Sequence, residues 1–178
     1  MSDQAPNLGD PQEEFTLSSR SELSLGELVD EACLDDVHFF IREGIDDDAI
    51  EVDATDDDTR FALVPYEQEE YALNEAAFEL FEEAGYEPAT LRDLLNFAIE
   101  RPAAQFEFDI VATGTMRTRR VFKDKPGETV WDQTDRDRKI CQWVVGLSNF
   151  KEKSTLIPVE LYLGKAIRKD ALVLVRLG

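Results

Sequence analysis

The sequence has little of the residues that build metal centres and disulfide frameworks. It contains two cysteines, Cys33 and Cys141, and one histidine, His38. Two distant cysteines without a Cys-x-x-Cys spacing exclude a zinc module and a disulfide framework, and the apolar pattern around each predicts a buried side chain. A single histidine excludes a histidine-rich metal site, and its apolar neighbours favour a structural role over a catalytic one. We therefore expect neither a metal nor a cofactor.

The signatures of common enzymes are also missing. No GxxxxGK[ST] or GxGxxG stretch is present to hold phosphates, and no GxSxG or HExxH motif occurs. Asp109 and the stretch Asp137–Lys139 faintly match the carboxylate and lysine pattern of metal-dependent nucleases. Such spacing is common by chance in a chain that is 33% charged, so a phosphodiester hydrolase is a distant alternative.

Long hydrophobic runs are absent, although hydrophobic residues make up 43% of the chain. No run approaches the ~18 residues of a membrane span, and the polar, acidic N-terminus lacks the pattern of a signal peptide. We therefore expect a soluble cytoplasmic protein, inside a cell or a viral particle, with no membrane partner. The hydrophobic content is sufficient for a sizeable core.

Cations are scarce in the first half of the chain. Residues 1–100 hold four arginines and 29 carboxylates, a net charge of −25, whereas residues 101–178 hold 15 cations and ten carboxylates, a net charge of +5. All seven lysines lie between Lys123 and Lys169. A charge separation of this size favours binding to an oppositely charged surface.

The patterning predicts an α+β fold in one domain. Residues 1–20 lack periodicity and are expected to form a flexible acidic tail. Residues 21–178 are expected to form a single domain, with an acidic and mostly helical part at 21–101 and a basic, mostly antiparallel β part at 102–178.

Apolar spacing predicts helices in the acidic part. The first covers 24–34 with Ser24 and Glu27 as a capping box, and the apolar stretch that ends at Gly44 is a short second helix or a continuation of the first. Two longer helices at 67–84 and 90–101 are joined by the four residues 85–88 into an αα-hairpin, with Thr90 and Asp93 capping the last one. Between the two helix pairs, alternating residues at 49–54 and 60–66 predict a β-hairpin with acidic ends.

Strands dominate the basic part. Residues 105–113 and 115–122 alternate as strands, with Gly114 expected to form a tight link between them. Two further strands are predicted at 154–163 and 171–177. Residues 134–147 fit both a helix and a strand, and we favour a helix there.

The acidic hairpin is the most charged segment. It does not fit a calcium loop, because Ile50 and Glu51 stand where that loop needs an oxygen ligand and a glycine. A looser cation site at its ends is an alternative to a solvated loop. We expect the acidic interaction surface to comprise Asp46, Asp47, Asp48, Glu51, Asp53, Asp56, Asp57, Asp58, Glu79, Glu82 and Glu83.

Three explanations fit this acidity. One is salt adaptation, although this does not explain why residues 101–178 carry a net positive charge. A nucleic-acid mimic would display carboxylates at roughly the 1.7 Å axial spacing of duplex phosphates in order to occupy a basic protein. Assembly would join the acidic half of one molecule to a basic surface, including that of another copy packed head to tail.

The basic surface is expected to comprise Arg117, Arg119, Arg120, Lys123, Lys125, Lys165, Arg168 and Lys169. In a strand, Arg117 and Arg119 share one face and Arg120 takes the other, so these cations do not form one continuous stripe. Direct nucleic-acid binding is less favoured than pairing with carboxylates of the same chain or of another copy. The sequence thus predicts a non-enzymatic interaction, assembly or adaptor protein, with a nucleic-acid mimic as the main alternative. Such a small, acidic protein would not be out of place in a virus or a mobile element, but no residue pattern shows that origin.

Overall fold

The computed structural model describes residues 7–46, 50, 59–67, 75–122, 138–150, 152–160 and 171–178. In chain order the elements are β1 (Asn7–Leu8), β2 (Glu13–Thr16), α1 (Leu25–Glu31), β3 (Asp36–Val37), α2 (Phe39–Asp46), β4 (Arg60–Glu67), α3 (Glu75–Glu83), β5 (Tyr86–Pro88), α4 (Leu91–Glu100), a short 3₁₀-helix (Ala104–Phe106), β6 (Ile110–Phe122), β7 (Arg138–Phe150), β8 (Lys153–Glu160) and β9 (Leu172–Leu177). Over this part of the chain the mixed α+β class with a mostly antiparallel sheet is confirmed.

One sheet organises all of these strands. Its order is β1–β4–β9–β6–β7–β8–β3, with β2 also pairing with β4 and β5 also pairing with β9. The β6–β9 and β3–β8 pairs are parallel, and the other pairs are antiparallel. The predicted strands 60–66, 154–163 and 171–177 correspond to β4, β8 and β9, although residues 161–163 lie outside the described range.

The central strands are buried on both faces of the sheet. On β4, Phe61 and Leu63 join the larger hydrophobic core with α1, α2 and α4, whereas Ala62 and Val64 join a second core with α3. Successive side chains of a strand point to opposite faces, so the two cores lie on opposite sides of the sheet. The fold therefore has helices on both faces.

The helix starts follow local sequence signals. Ser24 with Glu27, and Thr90 with Asp93, both form the predicted capping boxes. The predicted stop at Gly44 is wrong, because α2 continues to Asp46. Gly44 is instead a packing position: a Cβ atom there would lie 2.9 Å from Cδ1 of Ile50, which is buried in the larger core.

The predicted αα-hairpin is also wrong. Residues 86–88 of the expected turn form β5, which pairs with β9, and the helices on either side of it belong to the two different cores. Gly85 has φ +77° and ends the turn after α3, as its sequence position indicated. Glu67, expected at the start of a long acidic helix, is the last residue of β4, and residues 68–74 lie outside the described range.

The N-terminal segment is not a tail from residue 7 onward. Strand β2 pairs with β4 over residues 60–63, and Phe15 and Leu17 are buried. Because β9 takes the other side of β4, both of its edges are occupied, which leaves no edge along 60–63 for the predicted acidic hairpin. Of the first strand predicted for that hairpin, only Ile50 lies within the described residues.

Strands β6 and β7 correct two further predictions. Residues 138–150 are a strand and not a helix, because neighbouring residues such as Val144 and Val145 are both buried, one on each face. Strand β6 runs through Gly114 without a turn, and its start at Ile110 is later than predicted. The N–H of Gly114 donates to the Ala89 carbonyl at 2.7 Å, and a Cβ atom would lie 2.8 Å from that oxygen, so this crossing requires glycine.

Cys33 does not lie on a buried helical stripe. Helix α1 ends at Glu31, and Cys33 follows it with φ +49° and an exposed side chain. It occupies the left-handed position that glycine usually takes after a helix. The apolar spacing in the sequence continued past the point where the helix stops.

Candidate interaction surfaces

Two arginines fasten the N-terminal strand β2 to the rest of the fold. Nη1 of Arg101 donates to Oε2 of Glu13 at 2.7 Å, and the same guanidinium lies 4.2 Å from the ring centre of Phe15. Arg60 on β4 forms an ion pair with Glu14. These cations are therefore used within the fold.

A second cluster fastens the segment between β2 and α1 over helix α4. Arg20 donates to Glu31 at 3.1 Å and to Glu100 at 3.0 Å. Glu100 also accepts the backbone N–H of Ser18 at 2.8 Å. Partial burial raises the pKa of Glu100, but the hydrogen bonds from Arg20 and Ser18 outweigh it and hold that pKa below its usual value. Arg92 donates to the backbone carbonyls of Arg20 and Leu23 at 3.0 and 2.9 Å.

A buried ion pair joins helix α4 to the sheet. Asp93 is fully buried, and its Oδ2 accepts hydrogen bonds from the Thr90 backbone N–H at 2.7 Å and from Nε of Arg176 at 2.8 Å. Arg176 lies on β9, so this contact connects the helical layer to the middle of the sheet. Removing either partner would leave an uncompensated buried charge.

The arginines named above leave many carboxylates without a cation. Within the described part of the chain, the following exposed carboxylates make no ion pair: Asp10, Glu22, Asp30, Asp36, Asp46, Glu79, Glu82, Glu83, Glu87, Glu107 and Glu152. Like charges that stay unpaired on a surface repel one another and attract cationic partners. We call all the described residues except 117–122 and 138–142 the body.

The structure places four of the predicted acidic residues. Asp46 is the exposed last residue of α2, and Glu79, Glu82 and Glu83 are exposed on α3. The other predicted acidic residues lie outside the described range: Asp47, Asp48, Glu51, Asp53, Asp56, Asp57 and Asp58. The described structure therefore brings three of the predicted residues together on one helix and does not place the seven others.

Within the described part of the chain, strands β6 and β7 continue past the last pairs that they form with their other neighbours. Strand β8 pairs with β7 as far as Trp143, opposite Glu160, after which residues 161–170 lie outside the described range, and β9 pairs with β6 over Ile110–Ala112. Residues 118–122 pair with 138–142, Arg117 pairs with Trp143, and among the described residues no third strand pairs with 117–122 or 138–142. We call these two stretches the basic arm, because they contain five cations and no carboxylate: Arg117, Arg119, Arg120, Arg138 and Lys139.

The other predicted basic residues, Lys123, Lys125, Lys165, Arg168 and Lys169, lie outside the described range. The strand register also bears on the faint nuclease pattern. Asp109 directly precedes Ile110, which lies opposite Leu147 on β7. Lys139 lies on the same strand, eight residues away from Leu147. At about 3.4 Å per residue this separates them by about 27 Å, too far to act on one phosphate. Asp109 instead accepts a 2.7 Å hydrogen bond from the Ser148 hydroxyl.

One cavity within the described part of the chain is too small for a ligand. A shallow cavity of about 20 Å³ lies between α1 and α2 and is lined by Arg42 and Asp46, which is room for about one water molecule. Among the described residues, no group of three or more His, Cys, Asp or Glu side chains is arranged to hold a metal ion. None of the described helices has the length and apolar character needed to cross a membrane.

Comparisons with known proteins give no relative from which a role could be inferred. No family model matches the chain, and no curated protein or solved structure is significantly similar to it.

Sequence reasoning missed the contacts that hold the N-terminal segment. A signal was present, since residues 14–17 alternate as Glu, Phe, Thr and Leu, and the structure buries the second and fourth of them. It was overlooked because the prolines and acids around it indicated a tail. No local signal identifies Arg20, Glu100 and Arg101 as partners. The contacts of Arg20 with Glu100 and of Arg101 with Glu13 join residues that are 80 and 88 positions apart in the sequence.

Proposed function

We propose that this is a non-enzymatic interaction or assembly protein, which uses its acidic half to dock on a basic protein surface, including one presented by another copy of itself. The observation that carries this proposal is a difference between the arginines and the exposed carboxylates of the body: four arginines have ion-pair partners, and many carboxylates do not. Arg20, Arg60, Arg101 and Arg176 are held by internal carboxylates, while the exposed carboxylates of α3 have no ion pair.

The energetics support a partner for that surface. Two carboxylates one turn apart on a helix lower its stability by a few tenths of a kcal/mol. Glu79 and Glu83 are four residues apart and exposed on α3. A basic partner would remove this repulsion and form charge-assisted contacts in its place.

An assembly role has more support than a nucleic-acid mimic. A mimic requires a long, regular row of carboxylates, and the described acidic helix spans nine residues, about 13 Å of axis. The same chain also carries a cluster of cations on the basic arm, which a mimic of DNA does not need and an assembling protein does.

The test is self-association measured by sedimentation velocity across a concentration series at low salt and at about 0.5 M salt, where charges are screened beyond ~4 Å. We expect oligomers that form at low salt and dissociate at high salt. A variant with Glu79→Gln, Glu82→Gln and Glu83→Gln should associate about tenfold more weakly, because three charges of the docking surface are removed.

A matched control variant makes the same change in net charge at positions outside α3. The variant Asp10→Asn, Glu22→Gln and Glu107→Gln removes three exposed carboxylates elsewhere, and it should associate like the unmodified protein. Equal weakening by both variants would mean that overall charge, and not a defined surface, drives the association. A protein that stays monomeric throughout would contradict the self-association part of the proposal.

A further inference from the structure

The N-terminal segment, residues 7–17, forms a separable part of the sheet. Its strands β1 and β2 pair with one side of β4, whose other side is paired with β9. Phe15 and Leu17 are buried, whereas the residues on either side of them are exposed: Glu14, Thr16 and Ser18. A strand with few buried side chains opens at a lower free energy than the centre of a sheet does.

The site that β2 occupies has a defined chemistry. The ring centre of Phe15 lies 6.2 Å from that of Phe61 and 5.6 Å from that of Phe97. The Arg101 guanidinium lies 4.2 Å from the same ring centre and donates to Glu13. The site therefore fits an extended strand that has a carboxylate two residues before an aromatic ring, and β4 supplies the backbone groups that pair with it.

Residues 18–24, the connecting segment, join β2 to α1 and lie over helix α4. Arg92 donates to two backbone carbonyls of this segment, and Glu100 accepts from its Arg20 side chain and from one of its backbone N–H groups. Asn96 lies one helical turn from both Arg92 and Glu100, so the connecting segment passes over it. Asn96 is fully buried, and neither of its amide atoms has a hydrogen-bond partner within the described structure. A buried amide without partners disfavours the covered position, and opening of the segment returns it to water.

We infer that the edge of β4 is a strand-acceptor site that takes β2 of a second copy in place of the chain's own β2. The occupant is a second copy because every copy carries a segment whose Phe15, Leu17 and carboxylates already match the site. The connecting segment spans about 23 Å when extended, which reaches β4 of a copy whose sheet edge lies alongside. Exchange of an identical element is a low-cost route to a dimer, because each contact that is lost is formed again in the other copy. This inference rests on the proposed assembly function, and it names a contact that needs no carboxylate of α3.

The test is a disulfide that only an exchanged strand can form. Thr16 lies directly opposite Arg60 in the β2–β4 pair, and both are exposed. Residues directly opposite each other on antiparallel strands have Cα atoms about 4.5–5.5 Å apart, which suits a disulfide. Chains with Thr16→Cys are mixed with chains with Arg60→Cys, both in a background with Cys33→Ser and Cys141→Ser. Under mild oxidation we expect a disulfide-linked dimer that contains one chain of each kind, and none from either variant alone.

Two controls accompany the mixture. Replacing the Arg60→Cys chain by a Glu79→Cys chain puts an exposed cysteine on α3 and should give only the background of chance encounters. A single chain with both Thr16→Cys and Arg60→Cys should form its disulfide internally in dilute solution, and failure to do so would remove the strand pairing on which the inference rests. Because both positions are exposed, circular dichroism and the unfolding temperature should match those of the unmodified protein.

Loosening the connecting segment gives a second readout, which chance encounters would not change. Arg20→Gln removes the ionic contact with Glu100 and should speed formation of the linked dimer about fivefold. The control Arg42→Gln removes an exposed cation that has no ion pair among the described residues, and it should leave the rate unchanged. Equal rates for these two variants would contradict opening of the segment.

The outcomes separate this inference from the proposed function. If the mixture links no better than the Glu79→Cys control, while the unmodified protein associates and the α3 variant weakens that association, the proposed function stands and strand exchange is overturned. Linkage should persist at about 0.5 M salt, since salt screens both the ion pairs of β2 and the repulsion between acidic copies. Linkage that disappears there would mean that charge-driven docking brings the copies together, and the inference would be wrong. If a labelled peptide of residues 7–19 binds the full chain but copies do not link, the site takes a strand of another protein and exchange between copies is overturned.

Discussion

The body and the basic arm differ in the carboxylates that accompany their cations. In the body, Arg20, Arg101 and Arg176 pair with carboxylates that come from distant parts of the chain, so these charges belong to the fold. In the arm, the five cations lie on a strand pair without a carboxylate of its own. The comparison teaches that net charge alone does not identify a binding surface: what matters is whether the fold already provides the counter-charge.

The largest effect should follow from breaking the buried ion pair of the body. Replacing Asp93 with alanine leaves Arg176 without its carboxylate under α4, and removes the cap that holds Thr90. We expect the free energy of unfolding to fall by about 3–5 kcal/mol, as for other buried pairs that lose one partner. Urea unfolding followed by circular dichroism measures it.

The matched change in the arm is Arg119→Ala. Because no carboxylate lies within the arm, we expect this change to alter the free energy of unfolding by less than about 0.5 kcal/mol. A similar loss for both variants would remove the distinction between body and arm, since it would mean that the arm cations also stabilise the fold.

Local signals in the sequence were enough to predict the starts of helices α1 and α4 and three strands of the sheet. Ser24 with Glu27, and Thr90 with Asp93, act within one turn, so their residue types identify the caps without knowledge of the rest of the chain. Strands β4, β8 and β9 were recognisable as short apolar runs with β-branched residues.

The errors occur where a distant contact decides the structure. Strand β7 is buried on both faces, so its apolar residues do not alternate, and a helix fitted the pattern as well as a strand did. Gly114 indicated a turn, whereas its role is set by the Ala89 carbonyl of a different segment. The basic residues of the arm were named from the sequence, but which of them lie opposite which residues depends on the register of β6 with β7.

A smaller effect should follow from Glu100→Gln at the edge of the body. The pKa of Glu100 is lower in the folded protein than its ordinary value of 4.5, so the unfolded state binds more protons between the two values. The contribution of this carboxylate is therefore fully present above about pH 4.5 and is lost as pH falls through the folded pKa. At pH 7 we expect Glu100→Gln to lower the free energy of unfolding by about 1 kcal/mol, because a partly buried, charge-assisted contact with Arg20 is weakened.

The pH dependence is the diagnostic part of that experiment. The difference between the unmodified protein and Glu100→Gln should shrink as the pH is lowered from 5 to 3. A constant difference across this range would show that the side chain acts through packing, and not through its charge. Glu107→Gln is the control, since this exposed carboxylate has no ion pair within the described residues and its replacement should change stability little at any pH.

A small effect of opposite sign should come from the carboxylates of α3. Replacing Glu82 and Glu83 with glutamine removes repulsion within a helix that has no basic residue in its last turn, where negative charge also opposes the helix dipole. We expect the monomer to become more stable by up to about 0.5 kcal/mol at low salt, and this gain should vanish at high salt because the repulsion it relieves is then screened. Thermal unfolding at a concentration too low for association measures it. Destabilisation at low salt would mean that these carboxylates are held by cations of the fold, and the acidic surface of the body would then be no more available to a partner than its arginines are.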